Sequence, residues 1–255
     1  MKFVIRRHGD GFGDWLFTLA AIKHLNEQHP DVDVFVDFEL KREGRRDRFL
    51  PPIVVEAFRC SDVRWYELHE NSAPADRWVD HLVYPKRGDD PYVKGMCQQL
   101  ELAIGREIYY KPNTVPRFIY PEWSARPLDR GYVCMVSQGK AETRFKDWGL
   151  DKFEHLARRI VDELGVHVVQ IGKKLDYKLR IEPTIDERGA TFETLCGVIA
   201  GSAAFVGLEN GLTVLSSMLK KLTVVAFMQQ GTMVRLRDPK IAGAFKPSVD
   251  ELFTC

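Results

Sequence analysis

The sequence has no long hydrophobic run. Nowhere do roughly 18 apolar residues follow one another, which is the length that a membrane-spanning helix needs. The residues after Met1 form only a short apolar stretch without the cleavage site of a secretory signal. We therefore expect a protein without a transmembrane segment that resides in the cytoplasm.

An excess of either charge is also absent. Lys and Arg number 37 against 36 Asp and Glu, which gives a net charge of +1. A chain with this balance has no overall field that recruits nucleic acid or an anionic membrane. One local stretch, residues 41–48, is basic. It includes Arg45 and Arg46, which we predict contact the acceptor; a solvated loop is the alternative interpretation.

Cysteine is scarce, and its spacing shows no pairs. The five cysteines predict neither a disulfide nor a zinc site, and they suit the reduced thiols of a cytosolic protein. Hydrophobic residues make up 45% and charged residues 29% of the chain. This balance supports a buried core and excludes a chain that is disordered throughout. A length of 255 residues allows two domains of ordinary size.

The first forty residues predict a strand, a glycine turn, a helix and a second strand. The apolar stretch at 3–7 is followed by glycines, and then by apolar residues at helical spacing over 16–25. Residues 32–38 alternate in the manner of a strand, so the segment forms a βαβ unit and implies a parallel sheet. Prolines interrupt the pattern that follows, where we predict only a strand at 79–84 and a helix at 92–104.

The second half of the sequence alternates strands and helices regularly, which is typical of a doubly wound parallel sheet. A proline-containing linker places a domain boundary near Arg126. We therefore predict an α/β protein with two domains, at 1–126 and 127–255, of which the second is a doubly wound sheet. The predicted strands of the second half are 132–136, 166–171, 203–206 and 222–227, and the predicted helices are 152–164, 191–200 and 212–219.

Glycines surround the start of the first helix. Gly9, Gly11 and Gly13 let backbone amides approach an anion at a helix N-terminus. A nicotinamide-binding loop is one interpretation. Its fingerprint requires Gly or Ala where Asp14 stands, and a carboxylate there repels pyrophosphate, which Asp37 does not remedy. Asp14 is otherwise a general base or an ordinary helix cap.

Polar residues follow the strand predicted at 132–136. Ser137, Arg144 and Lys146 lie after the carboxyl end of that strand, where open α/β sheets bind ligands. The cations suit a diphosphate and could stabilise its charge as it leaves; an exposed loop with cations by chance is the alternative. Gly172 closes the next predicted strand, and we place it with the donor-binding residues.

A second glycine turn follows the strand predicted at 203–206. The backbone amides of Asn210, Gly211, Leu212 and Thr213 could bind a phosphate at the start of a helix. The Glu209 carboxylate could accept hydrogen bonds from ribose hydroxyls. The alternative is a tight turn in which Asn210 and Gly211 adopt positive φ.

Together these features resemble the bacterial heptosyltransferase family, the lipopolysaccharide enzymes of GT-B fold that use ADP-heptose. Gly13 and Asp14 resemble the family's Gly-Asp pair, and Lys146 and Trp148 resemble its phosphate-binding Lys-x-Trp segment. The resemblance implies two Rossmann-like domains that face a cleft, with the acceptor in the first and the donor in the second. Three segments carry it: residues 6–25, residues 144–148 and residues 205–215.

The resemblance also implies roles for single residues. Asp14 would deprotonate an acceptor hydroxyl, Lys146 would bind the donor phosphate, and residues 209–211 would hold the nucleotide. His8, beside the glycine loop, is placed with the acceptor. No metal is implied, and no cofactor beyond the nucleotide-sugar substrate. The first half is shorter than in the family, so the donor class follows from the resemblance better than the acceptor does.

We therefore predict an inverting, metal-independent glycosyltransferase that moves a sugar from a nucleotide-diphosphate-sugar to an acceptor hydroxyl. The candidate acceptors are the lipopolysaccharide core, a modified base in DNA and a protein. A non-catalytic nucleotide-sugar binding protein is the alternative from another functional class.

Overall fold

A computed structural model gives the chain as two compact units, Met1–Ile119 and Tyr120–Cys255. The division falls a few residues before the boundary predicted near Arg126. The structure describes residues 1–6, 11–38, 40–42, 45–47, 52–68, 75–79, 92–123, 131–138, 147–182, 184–228, 241–245 and 247–254.

The first unit contains a parallel sheet with strand order β5-β2-β1-β6. Its elements are β1 (Lys2–Arg6), α1 (Phe12–Gln28), β2 (Asp33–Asp37), β3 (Leu40–Arg42), β4 (Arg45–Asp47), α2 (Pro52–Arg59), β5 (Tyr66–Glu67), β6 (Arg77–Val79) and α3 (Tyr92–Ile104).

Helix α1 packs against α3 and fills the core of this unit. Leu16, Leu19 and Ile22 follow the 3.6-residue period and are fully buried, as is Trp15. The helix ends at Gln28, because Pro30 cannot continue it and disfavours helical backbone before itself. The predicted helix at 16–25 is thus the centre of a longer one.

The predicted helix at 92–104 is confirmed as α3. The strand expected at 79–84 overlaps β6 only at Val79; residues 80–84 lie outside the described residues. The basic stretch at 41–48 was expected to be a loop in its alternative interpretation. That interpretation is wrong, because β3 and β4 pair there as an antiparallel hairpin, with Arg46 opposite Lys41.

The second unit contains a six-stranded parallel sheet with strand order β12-β11-β10-β7-β8-β9. Each predicted strand and helix of this half is present, with bounds shifted by one or two residues. Its elements are β7 (Tyr132–Val136), α4 (Leu150–Leu164), β8 (His167–Gly172), β9 (Thr184–Arg188), α5 (Phe192–Gly201), β10 (Ala204–Leu208), α6 (Gly211–Met218), β11 (Thr223–Phe227), β12 (Ile241–Phe245) and α7 (Val249–Phe253).

Helix α4 shows why this half was predictable. Phe153, Leu156 and Ile160 form one buried stripe against the sheet, while the other face is charged. Gly165 ends the helix in the left-handed conformation at φ 66°, which glycine adopts without strain.

The connection between β8 and β9 departs from the usual crossover. Parallel strands are commonly joined through a helix, but the described residues of this connection, 173–182, form only turns and irregular backbone. Leu179 and Ile181 are buried there and cover the sheet in place of a helix. None of the described helices combines the length and apolar character that crossing a membrane requires.

Candidate functional site

The sheet of the second unit has a topological switch point between β7 and β10. In chain order its strands lie as 3-2-1-4-5-6, so the connections run in opposite directions on the two sides of this pair. A crevice opens at the carboxyl ends of such strands, and open α/β sheets bind ligands there. Ser137 and Gln138 follow β7, and Glu209 and Asn210 follow β10. The topology therefore brings the two predicted donor-binding turns together.

The two turns are joined by a hydrogen bond. Asn210 Nδ2 donates to the Gln138 backbone oxygen at 3.4 Å. Asn210 is also the N-cap of α6, where its Oδ1 accepts from the N–H groups of Leu212 (2.8 Å) and Thr213 (3.2 Å). The backbone of Asn210 is extended at φ −150°, and Gly211 is the first helical residue. The alternative of a turn with positive φ at these residues is therefore wrong.

This cap defines which amides of α6 face a ligand. The amides of Leu212 and Thr213 donate to the Asn210 side chain, whereas the cap does not engage those of Asn210 and Gly211. An anion at this helix start would contact the amides of Asn210 and Gly211. Alternatively, it would take the place of the Asn210 side-chain oxygen on the amides of Leu212 and Thr213. The Thr213 side chain is buried and donates to the Leu208 carbonyl, so it closes the helix onto β10.

Glu209 lies between β10 and α6, with 7% of its surface exposed. Gly207 lies inside β10, and a Cβ there would stand 2.3 Å from Val136 Cγ1 of β7. The absent side chain thus allows β7 and β10 to lie side by side. Ser137 is also buried, and its Oγ accepts a hydrogen bond from Gln170 Nε2 at 3.3 Å.

Gly172 ends β8 with φ at +141°, a conformation that side chains rarely adopt. A Cβ there would stand 2.5 Å from Asp176 Oδ2. The same oxygen accepts from the Lys173 backbone N–H at 2.7 Å, which closes the turn after the strand. Burial raises the pKa of the Asp176 carboxyl. Gly172 therefore shapes the turn beside the predicted site.

Asp14 lies in the first turn of α1 in the other unit. The N-cap of that helix is Gly11, so the interpretation of Asp14 as the cap is wrong. Gly13 precedes Asp14 in the same turn and is half-buried, as Asp14 is. The positive end of the helix dipole favours the ionised carboxylate, which is the form that a general base needs.

The carboxylate that a nicotinamide-binding sheet would use for the ribose is already engaged in another contact. Asp37 ends β2, where a dinucleotide-binding sheet carries the acidic residue for the ribose. Its Oδ2 accepts from Arg6 Nε at 2.8 Å, and its side chain is largely buried. The carboxylate is thus engaged with a neighbouring strand.

His8, Arg144 and Lys146 lie outside the described residues. Arg45 and Arg46 belong to the backbone of β4. The Trp148 side chain, next to the predicted phosphate segment, is buried and donates from Nε1 to the Pro247 carbonyl at 2.7 Å.

Sequence reasoning missed the hydrogen bonds that brace the site. Gln138 accepts from the Tyr177 N–H at 2.9 Å, and Gln170 donates to the Tyr177 carbonyl at 2.7 Å. Arg188 donates to the Asp176 carbonyl. Gln170 carried a signal, because it is the one polar residue in the apolar run 168–171. A buried amide of this kind needs partners, which predicts a bracing role.

The described cysteines are buried and form no disulfide; they are Cys60, Cys97, Cys134 and Cys196. Burial raises the pKa of Cys97 to about 12, so this thiol is protonated at neutral pH. Within the part of the chain that the structure describes, no cluster of three or more His, Cys, Asp or Glu side chains could hold a metal ion.

No protein-family model matches the sequence, and no curated protein matches it. The structure is similar to a glycosyl transferase family 9 protein from Veillonella parvula, with a TM-score of 0.75, 10% identity and coverage of 99% of this chain and 95% of the other. It is also similar to E. coli ADP-heptose lipopolysaccharide heptosyltransferase II, with a TM-score of 0.65, 16% identity and coverage of 96% and 90%. It is similar as well to E. coli heptosyltransferase WaaC with ADP, with a TM-score of 0.59, 13% identity and coverage of 99% of this chain and 96% of the other.

At these identities the likeness concerns the fold. The predicted fold class, two parallel-sheet α/β domains, is confirmed, and its structural neighbours include glycosyltransferases, heptosyltransferases among them.

Proposed function

We propose that this protein transfers a sugar from a nucleotide-diphosphate-sugar to an acceptor hydroxyl, with inversion and without a metal ion. The observation that carries the proposal is the switch point of the second unit, where the Asn210 side chain joins the turns after β7 and β10. A helix N-terminus and a strand end that meet in this way suit a phosphate. The solved structures that share the fold support a nucleotide-sugar as the ligand.

The second unit holds the donor in this proposal. The amide of Gly211 meets the diphosphate at the start of α6, and the Glu209 carboxylate accepts hydrogen bonds from the ribose. Arg144 and Lys146, in the segment between β7 and α4, neutralise the diphosphate. Two cations stabilise the charge that develops on the leaving group, the task that a metal ion performs elsewhere.

Asp14 is the proposed general base. Its carboxylate removes the proton from the acceptor hydroxyl, and the oxygen attacks the anomeric carbon. The bond between that carbon and the diphosphate oxygen breaks, and the nucleoside diphosphate leaves with the electron pair. A single in-line displacement inverts the configuration and needs one protein base.

The acceptor belongs to the first unit. His8, Arg45 and Arg46 are its proposed contacts, and the candidates remain the lipopolysaccharide core, a modified DNA base and a protein. Retention on DNA that weakens steeply with added salt would select the nucleic acid. The cytoplasm is the proposed compartment, since the described cysteines are buried and form no disulfide, which suits reducing conditions.

Ligand-dependent stability tests the donor half of the proposal. The full chain is titrated with ADP-, GDP-, UDP- and CMP-sugars and with NAD, by thermal shift and calorimetry. A ligand that binds only the folded protein raises its melting temperature. A response to one nucleotide-sugar family, retained in EDTA, is expected. If none of the nucleotide-sugars raised the melting temperature or gave a heat of binding, the proposal would be wrong.

The Asp14→Asn variant tests the chemical step. Transfer should be abolished, while the affinity for the donor stays near that of the wild type, because the change removes only the base. Asp162→Asn, at an exposed position of α4, makes the same chemical change as a matched control and should leave transfer intact. Turnover retained by Asp14→Asn would exclude Asp14 as the base. Donor binding without transfer to any acceptor by the wild type would favour a binding protein.

A further inference from the structure

The connection from β8 to β9 exposes an aromatic ring beside the site. Tyr177 lies after the carboxyl end of β8, and its residue surface is 67% exposed. An exposed tyrosine by itself is ordinary on a protein surface. Tyr177 differs from such a residue, because the backbone at this position is held by side chains from β8, from the end of β9 and from the turn after β7.

The first two holds act on the peptide groups of Tyr177 itself. Its N–H donates to Gln138 Oε1 at 2.9 Å, and its carbonyl accepts from Gln170 Nε2 at 2.7 Å. Gln138 follows β7 directly, so one hold comes from the switch point. The backbone of Tyr177 is therefore tied to the same turn that Asn210 contacts from the other side.

The other holds fix the residues around it. Gln170 is fully buried, and its Oε1 accepts from the Leu179 N–H at 2.9 Å. Arg188, at the end of β9, donates to the Asp176 carbonyl. Gln170 and Arg188 thus secure the chain on both sides of Tyr177. A side chain on a fixed backbone loses little further entropy when a ligand packs on it.

The charges around the ring suit a phosphorylated ligand. Lys173, Lys174 and Lys178 are exposed on the same connection. Asp176 is the one acidic residue between Lys173 and Lys178, and its carboxylate is engaged with the Lys173 N–H. An aromatic face with surrounding cations is the combination that binds a nucleobase together with its phosphates.

The position of the ring agrees with this chemistry. β8 is the neighbour of β7 on the side away from β10, which makes it the second strand of the 3-2-1-4-5-6 order. In sheets of this order the phosphates lie at the first strand, and the nucleoside extends over the end of the second.

We propose that the Tyr177 ring is the surface on which the nucleobase of the donor stacks. Gln138 and Gln170 hold the backbone that carries the ring. The inference rests on the proposed function and adds the residue that binds the base. Every base has a π-face, so Tyr177 contributes affinity without selecting one base over another.

Isothermal calorimetry on the full chain tests the inference with ADP, GDP, UDP, CDP and inorganic pyrophosphate. Tyr177→Ala should raise the Kd of the diphosphate that the wild type binds best by about tenfold. Tyr177→Phe keeps the ring and should bind as the wild type does. Pyrophosphate has no base, so its Kd should be equal in all three proteins. Tyr109→Ala, at a similarly exposed tyrosine of the first unit, is the matched control and should change nothing.

The outcomes separate the inference from the function on which it rests. A wild-type protein that binds no nucleoside diphosphate overturns the proposed function and the inference with it. Equal Kd values for the wild type and Tyr177→Ala, with nucleotide bound by both, overturn the stacking role alone. A loss of pyrophosphate binding in Tyr177→Ala also overturns it, because the ring would then act by shaping the phosphate site.

Discussion

The carboxylate of Asp14 lies against Gly11 at the start of α1. Asp14 Oδ2 is 2.6 Å and its Cγ 3.0 Å from the point where a Cβ on residue 11 would stand. Such contacts are too short to exist, so any side chain at position 11 must push the carboxylate away. The backbone of Gly11 has φ −71° and ψ 117°, which any residue can adopt. The glycine is therefore required by the position of Asp14 rather than by its own conformation.

Gly11→Ala should impair catalysis while preserving the fold. The added methyl group displaces the proposed base, and a shift of about 1 Å in a reacting group can lower the rate by on the order of a hundredfold. We expect kcat to fall by about tenfold or more, with the KM for the donor unchanged. Steady-state kinetics and urea unfolding measure the two effects.

Gly131→Ala supplies the control for this change. A Cβ on residue 131 would have nothing within 4 Å, so this substitution alters the chain without a clash. Its kcat should match the wild type. Equal kcat values for Gly11→Ala and Gly131→Ala would contradict the proposed role of the Asp14 carboxylate.

Asn210 caps helix α6 at the helix start where the diphosphate is proposed to bind. Asn210→Ala removes the cap of α6 and should lower the free energy of unfolding by about 1 kcal/mol. Asn210→Ser keeps a capping oxygen and should preserve stability. Asn210→Asp also caps, but it places a negative charge where the diphosphate is proposed to bind. We expect Asn210→Asp to retain its melting temperature and to lose nucleotide affinity. Nucleotide binding by Asn210→Asp equal to that of Asn210→Ser would speak against a phosphate at this helix start.

The sequence predicted the elements whose pattern is strong. Tyr132–Val136 is buried throughout and α4 is amphipathic, so a short apolar run and a helical period were sufficient. Strand β9 was missed, because Thr184–Arg188 is an edge strand of half-buried residues in which polar side chains prevail. Without β9 the crossover from β8 could not be recognised. The pairing that creates the switch point also joins distant parts of the chain, which periodicity does not report.

The turns that form the candidate site were predictable from the sequence, but the hydrogen bonds that hold them were not. A glycine and an asparagine after β10 predicted a turn, but the cap by Asn210 depends on an extended backbone. The small size of Gly207, which lies in β10 before that turn, serves the approach of β7. The partners of Gln170 lie on two other segments, so its role became visible only in the fold.

Gly207→Ala tests the close approach of β7 and β10. The new methyl group would stand 2.3 Å from Val136 Cγ1 and 3.1 Å from the Val136 carbonyl oxygen. Overpacking of this kind lowers the free energy of unfolding by about 1–3 kcal/mol. Val136→Ala removes the nearer contact, so the double variant should lose less stability than the sum of the single variants. A double-mutant cycle in urea measures this coupling. Additive losses would show that the two residues do not meet.

Acid should selectively weaken the pair formed by Asp186 and Arg188. Arg188 Nε and Nη2 donate to the two Asp186 oxygens at 2.8 Å each, and these hydrogen bonds lower the pKa of Asp186 from 3.8 to about 2. A carboxyl that is harder to protonate in the folded state stabilises the fold above its unfolded pKa, and this contribution is lost as the pH falls from about 4 towards 2. The pair is partly exposed, so we expect up to about 1 kcal/mol at neutral pH.

Asp186→Asn isolates that contribution. Urea unfolding of the wild type and the variant should differ by a constant amount between pH 7 and pH 5, and the difference should shrink at pH 3. Because Arg188 also holds the Asp176 carbonyl next to Tyr177, the variant should bind nucleotide more weakly at neutral pH, with pyrophosphate affected less. A stability difference that stays the same at pH 7 and pH 3 would show that the pair does not titrate as described. Unchanged nucleotide affinity would show that Arg188 holds the Asp176 carbonyl without help from Asp186.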